Sequence, residues 1–158
     1  MFLFFIVCPK STSDIAWIDA SSVNLGCIGF RKTKTRWKRS LAACKKANAH
    51  LIEIFNDKQS RFLMNEAMKQ IAFYFGGRYT WGRAWWIGAE LKSGKWTWEH
   101  SKKQVTYWSD VGASSSNKNT YGYKNYRYVN VNLYNKRLSY WRHVRKNYYC
   151  SAICQINK

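Results

Sequence analysis

Acidic residues are scarce in this sequence: eight Asp and Glu stand against 27 Lys and Arg, a formal net charge of +19 over 158 residues. From Val111 to the C-terminus there is no acid at all. A calcium ion takes about six to eight hard oxygen ligands, carboxylates among them, so that half of the chain is a poor place to build a calcium site. Acids so few and dispersed also give no carboxylate pair for acid–base catalysis. His50, His100 and His143 are scattered without a nucleophile motif, which argues against an enzyme. One proline and 18% aromatic residues exclude a disordered, low-complexity chain despite the charge. No apolar run is long enough to span a bilayer, and the N-terminal Met1 to Val7 stretch is far too short. It lacks the basic start of a full secretory leader and reads either as a leader remnant or as a first strand. Residues 8–158 then form a single domain, with no repeat or linker to divide them. Cys8, Cys27, Cys44, Cys150 and Cys154 include no Cys-x-x-Cys pair or zinc-finger spacing. Disulfides fit better than a metal, and they imply an oxidising compartment with one thiol left over.

What is abundant is tryptophan, concentrated in one stretch. Trp85-Trp86-Ile87-Gly88-Ala89-Glu90-Leu91-Lys92 and Lys95-Trp96-Thr97-Trp98 flank Ser93-Gly94. Turn residues between two aromatic-rich runs predict a β-hairpin. Each fully buried large side chain contributes roughly 1.5 to 3 kcal/mol, so this hairpin is predicted to be core around which the rest packs. Cys27 to Phe30 reads as a short strand. From Arg36 to about Asn48, Trp37, Leu41 and Cys44 recur at helical spacing with cations opposite. Ala49 to Ile54 alternates as a strand. Asn56 and Gln59 form a capping-box pattern ahead of a second helix bearing Phe62, Leu63, Ala67, Ile71 and Phe75, which Gly76-Gly77 stops. Further strands are predicted at Val105 to Trp108, around Val129, Val131 and Leu133, at Leu138 to Arg142 and at Tyr148 to Ile153. Residues 109–125 show no periodicity and form a long loop.

In this order, Trp37 and Cys44, then Ala49-His50-Leu51-Ile52-Glu53-Ile54, Trp86-Ile87-Gly88-Ala89, Trp96 and Trp98, Tyr107-Trp108 and Tyr148-Tyr149-Cys150 resemble the motifs of the C-type lectin-like domain, over roughly residues 27 to 154. Each motif is weak alone; their order and spacing carry the resemblance, to a divergent, secreted, long-form member. It implies an α+β fold with two helices flanking small antiparallel sheets and a long loop region. It also implies a bridge from Cys44 to Cys150, with Cys154 as the alternative partner, and an N-terminal bridge from Cys8 to Cys27. Cys154 is then available for an intermolecular bridge. The family's second core bridge is missing, its positions reading near Tyr128 and His143. Where sugar-binding members carry calcium-ligating triplets, this chain reads approximately Gly112-Ala113-Ser114 and Leu138-Ser139-Tyr140, so calcium-dependent sugar binding is not carried over. No cofactor is expected.

The functional candidate is the long loop together with the strands after it: Lys118, Tyr121, Tyr123, Lys124, Tyr126 and Arg127, backed by Lys136, Arg137, Arg142, Arg145 and Lys146. Tyrosine mixed with serine, glycine and asparagine suits adaptable recognition, and the interleaved cations attract sulfate or phosphate. The alternative is a solvated basic face. The basic run at 31–46 lies on a helix face and its approach and reads as solvated, with extension of a polyanion footprint as the other reading. The expectation is a secreted, calcium-independent module for sulfated or acidic glycans. Its rival is a protein-interaction module, of the kind used in venom or in immune recognition and its evasion, that meets an acidic protein surface. Nucleic acid fits the composition of a single-strand binder but not the disulfide-forming cysteines.

Overall fold

The computed structural model describes residues 7–74, 84–108, 126–134 and 138–157. Its elements run β1 (Ile15–Asp19), a 3-10 turn (Ser21–Val23), β2 (Cys27–Thr35), α1 (Trp37–Lys46), β3 (His50–Leu51), α2 (Asp57–Tyr74), β4 (Ala84–Lys92), β5 (Lys95–Trp98), β6 (Tyr126–Tyr134), β7 (Leu138–Arg145) and β8 (Cys150–Ile156). Their sheet has the order β1-β2-β8-β4-β6-β7, with β3 on β8 and β5 on β4. All pairings are antiparallel except β4 with β8. Val7 is exposed; the rest of the Met1 to Val7 stretch, the 109–125 loop and the Gly76-Gly77 stop lie outside the described residues.

The hairpin forms as its turn residues predict. Ser93 (φ 48°) and Gly94 (φ 75°) are both left-handed, the two-residue geometry whose twist matches that of the strands it joins. Strand β4 then serves two cores. Trp85, Ile87 and Ala89 enter one, with Phe30, Leu63, Ala67, Trp98, Val129 and Ile153. Ala84 and Trp86 enter the other, with Trp37, Cys44, Leu51, Tyr128, Cys150, Ala152 and Cys154. A strand buried on both faces needs a continuous apolar run, which is what Ala84 to Ala89 supplies. Gly88 interrupts it for a steric reason. A Cβ there would lie 2.9 Å from the backbone oxygen of Leu51 and 3.1 Å from that of Ile52. The close approach lets Gly88 N–H donate to Ile52 O at 2.8 Å.

Helix α1 ends in a turn that sets the position of β3. Asn48 is left-handed (φ 56°), Ala49 N–H donates to Cys44 O and Asn48 N–H to Lys45 O, a Schellman arrangement with asparagine in the glycine position. The reversal delivers His50 and Leu51 opposite Gln155 and Cys154 of β8. Cys44 is thereby beside Cys154, and the two are bridged, with Cα atoms 5.4 Å apart. This corrects the Cys44 to Cys150 pairing that the resemblance implies. Cys150 lies four residues up an extended strand, about 13 Å from Cys154, and so beyond the roughly 7 Å that a bridge can span from Cys44. Cys150 is the buried free thiol, accepting a hydrogen bond from Asn130 Nδ2 at 3.2 Å. Cys154 is consequently not available for an intermolecular bridge. Cys8 and Cys27 form the second disulfide.

Several local readings differ from the structure. Of the strand read over Ala49 to Ile54, only His50–Leu51 is a strand. Val105 to Trp108 is not a strand: Gln104 makes a single bridge to Thr97, and Val105 is buried as part of a loop. Strand β1 carries no clear signal in the sequence; it is a short sheet edge held by Asp14, which pairs with Arg31 of β2 at 3.0 Å. At α2, Asn56 Oδ1 accepts Gln59 N–H at 2.9 Å as the capping pattern predicts. The return bond from Gln59 Oε1 goes to Phe55 N–H rather than to Asn56.

His50 is a buried titratable group of this core. Its Nδ1 donates to Leu51 O at 2.8 Å, Nε2 is buried without a partner, and the ring stacks on His100 at 3.7 Å. Burial pushes its pKa below the ordinary value of 6.5, and His100 adds to this against smaller opposite pulls from the Leu51 hydrogen bond, Glu53 and Glu99.

These contacts can be tested by stability and labelling. Gly88→Ala lowers unfolding free energy by about 1 to 3 kcal/mol, because backbone rather than a side-chain tip must give way; a urea midpoint equal to wild type would show that β4 and the Leu51–Ile52 segment are not packed as described. Alkylating the unfolded, unreduced chain labels Cys150 alone, and breaking the 110-residue Cys44–Cys154 loop costs about 4 to 5 kcal/mol in the chain-entropy model; label on Cys154 would refute the pairing. Below about pH 6.5 the unfolded chain binds a proton at residue 50 that the folded chain does not. Stability is therefore full above that pH and falls as pH drops through it, and His50→Phe flattens this part of a melting-temperature profile.

Candidate functional site

At the start of α1 the sequence Arg36-Trp37-Lys38-Arg39 alternates cation and core. Trp37 turns inward, donates from Nε1 to Ile87 O at 2.9 Å, and stacks on Tyr128 with ring centroids 4.3 Å apart and planes at 15°. Trp86 meets the edge of Tyr128 at 6.3 Å and donates from Nε1 to Thr35 O at 2.8 Å. The beginning of the helix is thus fastened to β6 and β4 by rings and by indole hydrogen bonds. With Trp37 inside, Arg36, Lys38 and Arg39 must face solvent, and they do.

The same stack brings β6 alongside. Arg127, the neighbour of Tyr128, faces the three α1 cations, and the turn between β7 and β8 adds Lys146 and Asn147. Together they line an open groove of about 560 Å³, with Tyr128 in its lining and no acid among the described residues of its walls. Arg36 is the N-cap of α1 and provides no side-chain cap, and the first turn carries no acid. The positive end of the helix dipole therefore adds to the field of five cationic side chains. Burial raises the pKa of Tyr128 and Glu90 raises it further, with Arg127 and Lys92 acting in the opposite sense, so the phenol stays neutral among the cations.

One wall continues into exposed aromatic surface. Tyr148 and Tyr149 are 46% and 56% accessible, high for tyrosines bordering a groove. The guanidinium of Arg36 lies over the Tyr149 ring, 5.5 Å from its centroid. Tyr148 rests edge-on against Trp86 at 6.4 Å.

Of the residues proposed from sequence, Arg127 and Lys146 come together in this groove. Lys118, Tyr121, Tyr123, Lys124, Lys136 and Arg137 lie outside the described residues. Tyr126, Arg142 and Arg145 are placed on β6 and β7, with side chains outside the described set. Arg36, Lys38 and Arg39 come from the 31–46 run, whose second reading is extension of a polyanion footprint, and Tyr148 and Tyr149 are additions from the structure. The available signal was Trp37: an obligate core residue flanked by cations forces those cations to one outer face. The rest of that basic run divides. Arg31 is held by Asp14, whose carboxyl is raised by burial but brought below its usual value by hydrogen bonds from Thr33 and by Arg31. Lys45 pairs with Glu99 at 3.4 Å.

Among the described residues no group of three or more His, Cys, Asp or Glu is placed to hold a metal ion. No helix among them is long and apolar enough to cross a membrane. The two disulfides fit an oxidising, non-cytoplasmic location.

Residues 33–156 match the family model described as the lectin C-type domain. No curated protein matches the chain in sequence. Among solved structures, the chain is similar to the C-type lectin domain of murine dendritic cell inhibitory receptor 2 in complex with N-glycan, at 18% identity and a TM-score of 0.67, covering 96% of this chain and 100% of that one. A calcium-independent type II antifreeze protein matches at 16% identity and a TM-score of 0.64, covering 96% and 95%. The Ca2+-independent C-type lectin SPL-2 from Saxidomus purpuratus matches at 19% identity and a TM-score of 0.58, covering 82% and 85%. With the family model spanning most of its length, the chain belongs to the C-type lectin domain family.

Proposed function

We propose that this domain is a secreted, calcium-independent binding module that holds sulfated or acidic glycans on its basic face. The observation that carries the reading is the groove in which Arg36, Lys38, Arg39, Arg127 and Lys146 converge with no acid among its described lining residues. Cations gathered this closely repel one another, and an anionic ligand relieves that repulsion while gaining charge-assisted hydrogen bonds. The absence of Asp and Glu from Val111 onward supports metal independence, since calcium would lack its carboxylate oxygens there. Lys118, Tyr121, Tyr123, Lys124, Lys136 and Arg137 belong to the same proposal as a second contribution of charge and tyrosine.

The test is retention on immobilised heparin and on neutral glycans, with calcium or chelator, across a salt series. Heparin retention is expected to be insensitive to chelator and to fall steeply with salt. Lys38→Gln, Arg39→Gln and Lys146→Gln each reduce the slope of log affinity against log salt by about one unit. Calcium-dependent capture of neutral sugar would overturn the reading, as would absence of retention at low salt. Binding to an acidic protein that survives high salt would point instead to an interface with an apolar centre.

A further inference from the structure

The five cations of the groove are not equivalent. Lys38, Arg39, Arg127 and Lys146 are exposed side chains on α1, β6 and the β7–β8 turn. Arg36 differs in two respects: its backbone is fixed as the residue that enters α1, and its guanidinium lies over the Tyr149 ring. A cation–π contact restrains a guanidinium, and the planar N–H fork of a guanidinium matches two oxygens of a sulfate or carboxylate. An ammonium in the same place would be a point charge without that directionality.

The ring that carries Arg36 is itself open to solvent, and so is its neighbour Tyr148. Two adjacent tyrosines about half exposed beside a cationic groove offer ring faces that a ligand with an apolar face can cover in the bound state. A bare inorganic anion would use the guanidinium and leave both rings untouched. A ligand that uses all of these groups carries an oxyanion directly attached to a body with an apolar face. A sulfated pyranose has that form: a face of axial C–H bonds for the aromatic ring and a sulfate for the fork.

We propose that Arg36, held by Tyr149, is the directional anion-reading group of this domain, and that Tyr148 and Tyr149 seat the ring of a sulfated saccharide. Lys38, Arg39 and Lys146 supply undirected attraction. This rests on the reading of the groove as a polyanion site, and it assigns within that site which residues confer specificity and which only affinity. Tyr149 is a positioning residue toward Arg36 and a contact residue toward the sugar. The oxidising compartment implied by the disulfides favours a saccharide over single-stranded nucleic acid, which could also use cations and rings.

The experiment measures affinity for a size-defined heparin oligosaccharide by titration calorimetry at several salt concentrations, for wild type, Arg36→Lys, Tyr149→Leu, Tyr149→Phe and Lys38→Gln. The substituted residues are all exposed, and melting temperature confirms folding of each variant. Arg36→Lys preserves charge and is expected to weaken binding about tenfold with the salt slope unchanged, the signature of lost geometry rather than lost charge. Tyr149→Leu reproduces that loss, Tyr149→Phe retains affinity because the ring face is kept, and Lys38→Gln lowers the slope by about one unit. Wild-type affinity in both Arg36→Lys and Tyr149→Leu, with Lys38→Gln still weakened, would overturn this proposal and leave the polyanion reading standing. Equal affinity for single-stranded DNA of matched charge would overturn the assignment to a saccharide. No binding by wild type would overturn both readings.

Discussion

The structure depends on covering one strand twice. Strand β4 presents Trp85, Ile87 and Ala89 on one face and Ala84 and Trp86 on the other, and neither face can be left in water when each large side chain is worth roughly 1.5 to 3 kcal/mol of burial. Its neighbours follow from that requirement. Helix α2 covers the first face through Leu63, Met64 and Ala67. Helix α1 covers the second through Trp37 and Cys44. The segment between the helices passes close enough to β4 that only glycine fits at residue 88. The polar demands of the same region are met internally: Gln155 accepts from Glu53 N–H and donates to Leu25 O, and Glu53 accepts from Ser101 N–H. These bonds link β8 to the chain on either side of it and leave those buried groups satisfied.

The candidate site is a consequence of the second of those covers. Trp37 must go inside, and its stack on Tyr128 places the start of α1 against β6. The cations on either side of Trp37 are then forced outward, next to the cation beside Tyr128. Aromatic burial thus has an electrostatic effect, holding like charges together that would separate if the chain were free. The 110-residue loop closed by Cys44 and Cys154 anchors the far end of the same helix. The basic groove is therefore built on a helix fixed at both ends, the arrangement expected where charges must be held at a set spacing.

Much of this was legible in the residues, and the remainder was not for definable reasons. The hairpin was legible because Ser93-Gly94 specifies its own turn, and α1 because Trp37, Leu41 and Cys44 keep helical spacing. Local chemistry sufficed there. The partner of Cys44 was not legible, because it depends on how far the chain travels between Asn48 and Leu51 and on the register of β3 against β8. Cys150 and Cys154 share one face of one strand, and nothing local distinguishes them. The edge strand β1 is short, and its apolar alternation is weak. Val105 misleads in the opposite direction, since an apolar residue buried in a loop carries the same pattern as one in a strand. The groove was half legible: Arg127 and Lys146 stood out through their surroundings, whereas Arg36, Lys38 and Arg39 lie some ninety residues earlier and are joined to them only through the Trp37–Tyr128 contact.

The chemistry of the groove also bears on what kind of ligand this scaffold can hold. A neutral sugar offers hydroxyls, and binding them tightly through a metal requires carboxylates to retain the ion. The chain has no Asp or Glu from Val111 onward. Ammonium and guanidinium groups are donors only, so among themselves they can satisfy a ligand's acceptors but never its hydroxyl donors. A ligand matched to such a surface is rich in acceptors and carries the negative charge itself. On the proposed reading the balance is inverted: where a metal site places anionic groups on the protein and recruits a cation to meet the sugar, here the cations are on the protein and the anion comes from the ligand. In the same proposal the exposed tyrosine pair is what separates a saccharide from a simple ion, because only a ligand with an apolar face gains from covering it.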